Sequence, residues 1–446
     1  MAVVTSRRTV AFSHGPGTGA GRTPIGLRCL LAVDVGRLAG FASRLLGYGQ
    51  GGTLPGRVAL ALAPDALRRL AQGRRIVLVS GTNGKSTTTK LLSTAMSATG
   101  RVITNPDGSN LVAGLTTALL LERNAPFDVA VLEVDEVALP AALVATSADV
   151  LCLLNLSRDQ LDRMGEVASH VPRWSRAIAG ATQTTVVANA DDPLVVAAVL
   201  GARPAAEDVV WVAVGQPWRL DFPVCPRCSE AWRTTPTTWS CASCGLARPQ
   251  PMWSLDGKAL QQTGGARYDL SLRLTGRANA ANAAIAAVAA GVMHVPVQVG
   301  LEQMRTVSEI DGRNLVAQVG AATVRLVLAK NPAGWLEALG ELPQDASPVI
   351  VAINAQPADG RDPSWLWDVP FEVLRGRTVI ACGERAADLA VRLRYAEVEH
   401  QLERDLDRAL ALLPAGPGSL LANYTSFVKA RTSLQRAAVS MMTSPS

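Results

Sequence analysis

Short runs of apolar residues alternate with helical stretches from about residue 74 onward. Between residues 75 and 190 these runs read RIVLVS, RVITN, VAVLEVDE, DVLCLLNL and TVVANA, and a helical or loop segment follows each one. Short runs that are apolar throughout are typical of parallel strands buried on both faces. The pattern predicts an α/β fold with a parallel sheet, helices on both faces, and a ligand site at the carboxyl ends of the strands.

This pattern changes twice further along the chain. A segment rich in Cys and Pro interrupts it at residues 222–250, and a helical, Ala-rich pattern returns at residues 276–292. Beyond a boundary near residues 305–315, the runs VRLVLAK, VIVAIN and TVIACGE indicate further strands. We therefore predict a central domain over residues 73–305, which carries the insert, and a smaller C-terminal α/β domain over residues 306–446.

The N-terminal part of the chain has a different pattern. Residues 1–25 lack a sustained apolar core and are expected to form a disordered tail rather than a signal peptide. Residues 26–72 are predicted to form a helical arm, because apolar positions recur at helical spacing with Arg between them over residues 26–48. Its apolar face is expected to pack on the central domain, and contact with a membrane surface is the alternative.

Composition narrows the class of protein. With 446 residues, 48% hydrophobic and 18% charged, the chain is expected to be globular and to form two or three domains. No apolar run is long enough for a transmembrane helix. The net charge of +6 is spread without a dense Lys/Arg run, so it suits an anionic substrate or a membrane surface and does not by itself favour nucleic acid.

The first candidate site is the segment IVLVSGTNGKSTTTK at residues 76–90. A strand, a Gly-containing turn and a helix start follow one another, so backbone N–H groups and the helix N-terminus can point at one set of phosphate oxygens. Lys85 supplies a charge for the β- and γ-phosphates, and the Ser86 hydroxyl is suited to Mg²⁺. The predicted nucleotide-binding residues here, for ATP or a close relative, are Gly81, Thr82, Asn83, Gly84, Lys85, Ser86 and Thr87.

Acidic residues end the strand VAVLEVDE. Mg²⁺ prefers oxygen ligands, commonly one or two carboxylates together with phosphate and water. Among Glu133, Asp135 and Glu136, we predict Glu133 as the magnesium ligand, and a solvated loop acid is the alternative for each. In the following NLSRDQLDRMGE segment, Arg158, Asp159 and Asp162 either orient phosphate, metal or substrate, or begin a salt-bridged helix.

The insert holds two CxxC pairs separated by twelve residues. Thiolates in two such knuckles match the tetrahedral coordination of Zn²⁺, and a site closed by four cysteines leaves no position for substrate. The insert is therefore predicted to be a structural zinc ribbon rather than a redox or catalytic site, and its few basic residues argue against nucleic-acid binding. The predicted zinc ligands are Cys225, Cys228, Cys241 and Cys244.

Three further segments carry polar side chains with open roles. Asn279 and Asn282 begin the Ala-rich helix, where an amide suits an adenine edge but equally a helix cap. Arg313, near the domain boundary, could reach a phosphate across a cleft. Asp359 and Asp362 lie in the loop ADGRDPSW, either over the nucleotide cleft or in a surface turn.

Taken in order, these motifs resemble those of the Mur ligase family. GTNGKST resembles its phosphate loop, Glu133 its magnesium acid, GRANAANAAIAA its nucleotide-binding Asn region, and Arg313 its linker arginine. More narrowly, NLSRDQLDRMGE, the CPRC and CASC pairs, AKNPAGW and ADGRDPSW resemble the MurT family, the ligase subunits of lipid II isoglutaminyl synthase. The resemblance runs from about residue 26 to near the C-terminus; Ser86 departs from the commoner Thr but keeps the hydroxyl.

The resemblance implies a reaction in peptidoglycan synthesis. ATP would phosphorylate the α-carboxylate of D-glutamate in the stem peptide of lipid II, and ammonia would then displace phosphate to leave D-isoglutamine. It implies ATP, Mg²⁺ and Zn²⁺ as cofactors, catalytic roles for Lys85, Glu133 and either Asp359 or Asp362, and nucleotide contacts from Asn279, Asn282 and Arg313. Action on a lipid-linked substrate implies a cytoplasmic protein at the inner face of the membrane.

The ammonia donor and the rival functions remain open at this point. Cys29, Cys152 and Cys382 lie outside the insert without the pattern of a glutaminase nucleophile, so we expect a separate, GatD-like glutaminase subunit as partner. One alternative is a Mur or folylpolyglutamate-type ligase that adds an amino acid, against which the insert and the short segment before Gly81 argue. The other is a non-catalytic, nucleotide-binding assembly protein.

Overall fold

The computed structural model describes residues 27–45, 52–105, 108–123, 127–158, 167–203, 205, 208–216, 223–235, 237–308 and 314–443. The predicted tail at residues 1–25, together with Asp159, Asp162 and Arg313, lies outside the described residues. Within them the chain forms two large sheets, one small sheet and the helices that cover them.

The first large sheet has nine strands in the order β11-β10-β9-β6-β5-β4-β1-β3-β2. Strands β1 to β6 are parallel to one another, as the apolar runs predict. β9 pairs with β6 in parallel, and β10 is antiparallel to both β9 and β11 at this edge of the sheet. The strands are β1 Arg75–Ser80, β2 Val102–Ile103, β3 Val129–Val134, β4 Val150–Leu153, β5 Thr185–Asn189, β6 Val209–Ala213, β9 Trp253–Asp256, β10 Ala259–Gln262 and β11 Arg267–Asp269.

Helices cover both faces of this sheet and, with it, form the central domain. Alternate residues of β1 point to opposite faces, so Ile76 and Leu78 join one buried cluster while Val77 and Val79 join the other. Burial on both faces explains why the strand is apolar throughout. The helices are α4 Lys85–Met96, α5 Val112–Leu121, α6 Leu139–Thr146, α7 His170–Gly180, α8 Pro193–Ala202, α9 Arg277–Val292 and α10 Val297–Met304, with a 3₁₀ turn at Val167–Ser169.

The Cys-rich insert forms a hairpin of its own between β6 and β9. Its strands, β7 Trp232–Thr234 and β8 Trp239–Cys241, make a separate two-stranded sheet. Cys225, Trp239, Cys241 and Leu246 are buried in the same cluster as the helices on one face of the central sheet. The insert, called the ribbon below, is therefore packed against the central domain and is not a free appendage.

The second large sheet has six strands in the order β12-β13-β17-β14-β15-β16. It is parallel except for the β12–β13 hairpin, and with its helices it forms the C-terminal domain. The elements are β12 Asn314–Val319, β13 Ala322–Leu328, α11 Pro332–Gly340, β14 Val349–Ala352, β15 Val379–Cys382, α12 Ala386–Tyr395, β16 His400–Leu402, α13 Leu406–Ala411, β17 Gly416–Ala422 and α14 Tyr424–Thr443, with 3₁₀ turns at Ser364–Asp368 and Phe371–Leu374.

The N-terminal arm consists of α1 Leu27–Leu45, α2 Leu54–Leu62 and α3 Ala66–Ala71. The inner face of α1 is buried in the central core through Cys29, Ala32 and Val33, which confirms the predicted packing. Its outer face nevertheless carries exposed apolar side chains, namely Leu27, Leu31, Val35, Leu38 and Phe41. Among the described residues, no helix is both long and apolar enough to cross a membrane.

Candidate active site

A phosphate-binding loop connects β1 to α4 at the centre of the first sheet. Gly81 and Gly84 have φ of +145° and +86°, and a Cβ at Gly84 would lie 2.3 Å from Asn282 Oδ1. Asn155, just after β4, clamps the loop: its carbonyl accepts from the Thr82 amide at 2.9 Å and its Oδ1 accepts from the Asn83 amide at 2.8 Å. These hydrogen bonds hold the shape of the loop, and its left-handed backbone at Gly84 favours glycine.

Lys85 is fixed at the base of this loop among acids. Its Nζ donates to the Gly81 carbonyl at 2.6 Å and pairs with Glu136 Oε2 at 3.2 Å. Burial by itself would lower the pKa of Lys85, but the charges of Glu136, Glu133 and Asp135 outweigh burial and raise that pKa. The ammonium is therefore charged near neutral pH and faces the same cleft as the loop.

The acids at the end of β3 divide into two arrangements. Glu133, the predicted magnesium ligand, accepts from Asn110 Nδ2 at 3.2 Å and has its backbone held on both sides by the Asn105 amide. Glu136, which sequence reasoning ranked below Glu133, is instead the partner of Lys85. Burial, followed by the charge of Glu136, raises the pKa of Asp135. Ser86 and Glu133 both line the cleft, and their oxygen atoms are the hard donors that Mg²⁺ prefers.

His170 is a cleft residue that sequence reasoning missed. It begins α7, is 5% exposed, and its Nδ1 is buried without a hydrogen-bond partner. Burial lowers the pKa of His170 despite the nearby charge of Glu136. A lone histidine after a loop gives no sequence signal, because only the fold brings α7 beside the acids that follow β3, where Trp174 Nε1 donates to the Glu136 carbonyl at 3.0 Å.

The Ala-rich helix α9 supplies another part of the cleft. Its N-cap is Gly276, so neither asparagine caps the helix. The Asn282 side chain lies against Gly84, and Asn279 Nδ2 donates to the Thr275 carbonyl at 2.6 Å. Both line the cleft, in the place where the resemblance puts the nucleotide.

The opposite wall of the cleft belongs to the C-terminal domain. The two domains enclose a volume of about 940 Å³. Asn331 Nδ2 reaches across to Asn83 Oδ1 at 3.2 Å, and the Arg277 guanidinium pairs with Glu337. The C-terminal side chains that line the cleft include Arg325, Lys330, Glu337, Glu341, Tyr424, Phe427, Val428 and Arg431. A substrate in this cleft would touch both domains.

Arg158 joins the two domains at a second place. It pairs with Asp368 of the C-terminal domain at 2.8 Å, a contact between domains that neither predicted role included. Neither this residue nor Asp368 is among those that line the cleft.

The two aspartates of the ADGRD loop are not among the residues that line the cleft, and they differ from each other. Asp359 is buried and accepts hydrogen bonds from the Thr425 amide at 2.8 Å and from the Thr425 hydroxyl, so it ties its loop to the start of α14. Asp362 accepts from the Ser364 amide and hydroxyl at 2.9 and 2.8 Å, and these bonds lower its pKa. From this loop, Ala358 lines the cleft.

The four ribbon cysteines converge as predicted. Their sulfur atoms all lie within 4.8 Å of one another, and the closest pairs, Cys225 with Cys244 and Cys228 with Cys241, are 3.5 and 3.4 Å apart. Four thiolates at about 2.3 Å from one tetrahedral ion stand roughly 3.8 Å apart, so the cluster fits a structural metal.

Comparison with known proteins gives matches along most of the chain. A family model for the Mur ligase middle domain matches residues 79–214, and one described as MurT ligase C-terminal matches residues 328–427. The subunit MurT of lipid II isoglutaminyl synthase (glutamine-hydrolyzing) from Staphylococcus aureus is 30% identical over 92% of this chain and 98% of its own length. The Streptococcus pneumoniae protein of the same name is 29% identical over 90% and 96%.

Solved structures share the fold at low sequence identity. A pseudomurein peptide ligase type C from Methanothermus fervidus superposes with a TM-score of 0.65 at 16% identity, covering 85% of this chain and 84% of that one. MurF from Acinetobacter baumannii gives a TM-score of 0.63 at 16% identity, covering 85% and 80%. Folylpolyglutamate synthase from Mycobacterium tuberculosis gives 0.56 at 18%, covering 84% and 93%.

Proposed function

Because this chain belongs to the MurT family of Mur-type ligases, we propose that it amidates the α-carboxylate of D-glutamate in the stem peptide of lipid II, using ATP. The products are D-isoglutamine, ADP and phosphate. One observation carries the proposal: a phosphate loop faces a cluster of acids in a cleft that a second domain closes. That arrangement suits transfer of a phosphoryl group to a second substrate held between two domains.

The chemistry requires activation of a poor electrophile. A carboxylate oxygen attacks the γ-phosphorus of ATP, the bond to the β-bridging oxygen breaks, and an acyl phosphate and ADP form. Ammonia then attacks the acyl carbon, loses a proton and expels inorganic phosphate. Lys85 and the loop amides stabilise the charge on the transferring phosphoryl group, and Arg325, Lys330 and Arg431 of the opposite wall suit the anionic substrate.

We place the nucleotide against the loop residues Gly81–Thr87, with Asn279 and Asn282 beside it. The role of Arg313 as a phosphate contact from the domain boundary is part of the same proposal. Ser86 and Glu133 would hold Mg²⁺, which when bound neutralises phosphate charge. Zn²⁺ is proposed for the four-cysteine cluster, in a structural role.

Ammonia is proposed to come from a glutaminase partner. The cysteines outside the ribbon, Cys29, Cys152 and Cys382, are all buried. Burial raises the pKa of Cys152 to about 12 and that of Cys382 to about 11, so neither thiol is readily ionised as a nucleophile must be. A GatD-like subunit would supply the missing activity, with Asp359 or Asp362 orienting ammonia or contacting the partner's site.

A lipid-linked substrate places the proposed reaction in the cytoplasm, at the inner face of the membrane. The exposed apolar stripe on α1 supports peripheral contact there, because it is flanked by Arg28 and Arg37. The stripe does not span the bilayer and suits an interfacial position. No contact with nucleic acid is proposed.

The test is mass spectrometry of lipid II incubated with the purified chain, ATP, Mg²⁺ and ammonium chloride. We expect the D-glutamate residue to lose the mass difference between a hydroxyl and an amino group, and Lys85→Ala to abolish this change. Free glutamine should not replace ammonium unless a glutaminase subunit is added.

Other outcomes separate the rivals. Addition of a whole amino-acid residue would favour the amino-acid-adding ligase and contradict the proposal. No product with either nitrogen source, even after addition of the glutaminase, would favour a non-catalytic assembly protein. Glutamine-driven amidation by the pure chain would contradict the need for a partner.

A further inference from the structure

Besides its apolar packing, the ribbon bonds through two of its side chains to one buried acid of the central domain, Asp191, which follows β5. Arg248, just beyond the second cysteine pair, donates from Nε to Asp191 Oδ1 at 2.6 Å. Trp239 of β8 donates from Nε1 to the Asp191 carbonyl at 3.2 Å. The Arg248 amide is itself bonded to the Trp239 carbonyl at 3.0 Å, so both contacts belong to one rigid corner of the ribbon.

The other oxygen of the same carboxylate holds a wall of the cleft. Asp191 Oδ2 accepts from the Val214 amide at 2.8 Å and from the Gly215 amide at 2.7 Å. Val214 and Gln216 both line the cleft that receives the nucleotide in the proposed function. Asp191 therefore connects the ribbon on one side with residues 214–216 on the other.

The contacts continue across the cleft. Arg277 Nη1 donates to the carbonyls of Val214 and Gly215, at 3.2 and 2.8 Å, and the same guanidinium pairs with Glu337 of the C-terminal domain. A displacement of residues 214–216 would thus reach both the nucleotide side and the domain contact.

We propose that Asp191 and Arg248 are positioning residues, through which the metal-bound ribbon sets the conformation of residues 214–216 and hence the affinity for nucleotide. This rests on the nucleotide site proposed above. The physical reason is that Arg248 neutralises a carboxylate that is only 9% exposed on its side chain. Its removal leaves a buried anion held by amides alone, and loss of the metal releases the corner that carries Arg248.

The experiment uses the full chain and two readouts that do not require catalysis. Hydrogen exchange measures the exchange rates of the Val214 and Gly215 amides. Calorimetry measures the dissociation constant for ADP in excess Mg²⁺. Each is measured for wild type, for wild type stripped by a zinc-selective chelator, and for Arg248→Met, which keeps all four cysteines. Arg267→Met is the matched control, because it breaks an exposed ion pair with Asp256 at 2.8 Å on the β9–β11 edge.

We expect Arg248→Met and metal removal each to accelerate exchange at both amides and to weaken ADP binding by about tenfold or more. Removal of the metal from Arg248→Met should weaken ADP binding little further, since both changes break the same connection between the ribbon and Asp191. Arg267→Met should resemble wild type. Circular dichroism must show the variants folded; Asp191→Asn, which keeps an acceptor but removes the charge, should be intermediate.

Two results would overturn the inference. The first is unchanged exchange and ADP affinity in Arg248→Met; the second is an additive effect of chelation and this substitution, which indicates independent actions. If wild type itself binds no ADP, the proposed function fails. If wild type binds ADP and the affinity changes neither in Arg248→Met nor after metal removal, that function stands and only the role of Asp191 and Arg248 is contradicted.

Discussion

The two walls of the cleft are built in different ways. The wall of the central domain centres on one continuous segment, in which β1, the loop and α4 follow one another within residues 75–96. The wall of the C-terminal domain collects Arg325 and Lys330 from around the end of β13, Glu337 from α11, and Tyr424 and Arg431 from α14. About 100 residues separate the first of these from the last.

This difference decides what each wall can do. The first wall presents a loop and the start of α4, and Asn155 fixes the loop by accepting from the Thr82 and Asn83 amides. The second wall offers side-chain charges whose positions depend on the domain contact, and ion pairs such as Arg277–Glu337 hold that contact. The first wall is therefore shaped by one local segment, whereas the position of the second wall depends on how the two domains pack.

Replacement of the lysine on each wall gives the largest expected contrast. Lys85→Met should lower kcat by about a thousandfold or more, because its ammonium acts on the charge that develops in transfer. Lys330→Met, which loses a cation 5.1 Å from the Tyr424 ring centroid, should weaken substrate binding by about tenfold with a smaller effect on kcat. Steady-state amidation kinetics measure both. Equal losses of kcat would contradict a difference between the walls.

The contact between the walls is tested by a double-mutant cycle on Arg277 and Glu337. Each single change, Arg277→Met and Glu337→Gln, should raise KM by about tenfold, since both residues line the cleft and join the domains. The double variant should be no worse than the poorer single variant. As a control, Arg385→Met breaks an exposed pair with Asp388 and should leave KM unchanged. Strict additivity would show that the pair does not couple the walls.

The smallest expected effect concerns pH and His170, which lies near Glu136 and Asp135 on the first wall. Burial depresses the pKa of His170 below its ordinary 6.5, so the folded state binds fewer protons than the unfolded state below that pH. Stability is consequently present above 6.5 and lost as pH falls through the folded pKa. Between about pH 7.5 and 5.5, the Tm of wild type should fall by about 1–2 °C more than that of His170→Gln.

Thermal unfolding at the two pH values measures this difference. The control is the exposed His294, changed to Asn because its φ is +70° and Asn tolerates that conformation. His294→Asn should keep the wild-type pH dependence. A His170→Gln variant that loses as much stability on acidification as wild type would contradict a buried, neutral His170.

The sequence predicted the parts whose physics is local. Apolar runs such as RIVLVS are typical of parallel strands buried on both faces, and this prediction is confirmed by β1 between β3 and β4. The phosphate loop has left-handed backbone at Gly84, a conformation that glycine itself predicts because it adopts it without strain. The spacing of the cysteine pairs likewise predicted a cluster that the fold brings together.

Tertiary structure alone decided which side chains meet. Glu133 and Glu136 are three residues apart and chemically alike, yet only Glu136 pairs with Lys85, because the chain turns after β3. Asp359 and Asp362 were equivalent in sequence, but one is buried against Thr425 and the other accepts from Ser364. No sequence pattern predicted the roles of His170, of the Asp191–Arg248 pair or of the second wall, because the residues that they contact are distant in the chain. Local backbone geometry can be deduced from residue types, whereas long-range side-chain contacts exist only once the domains have packed.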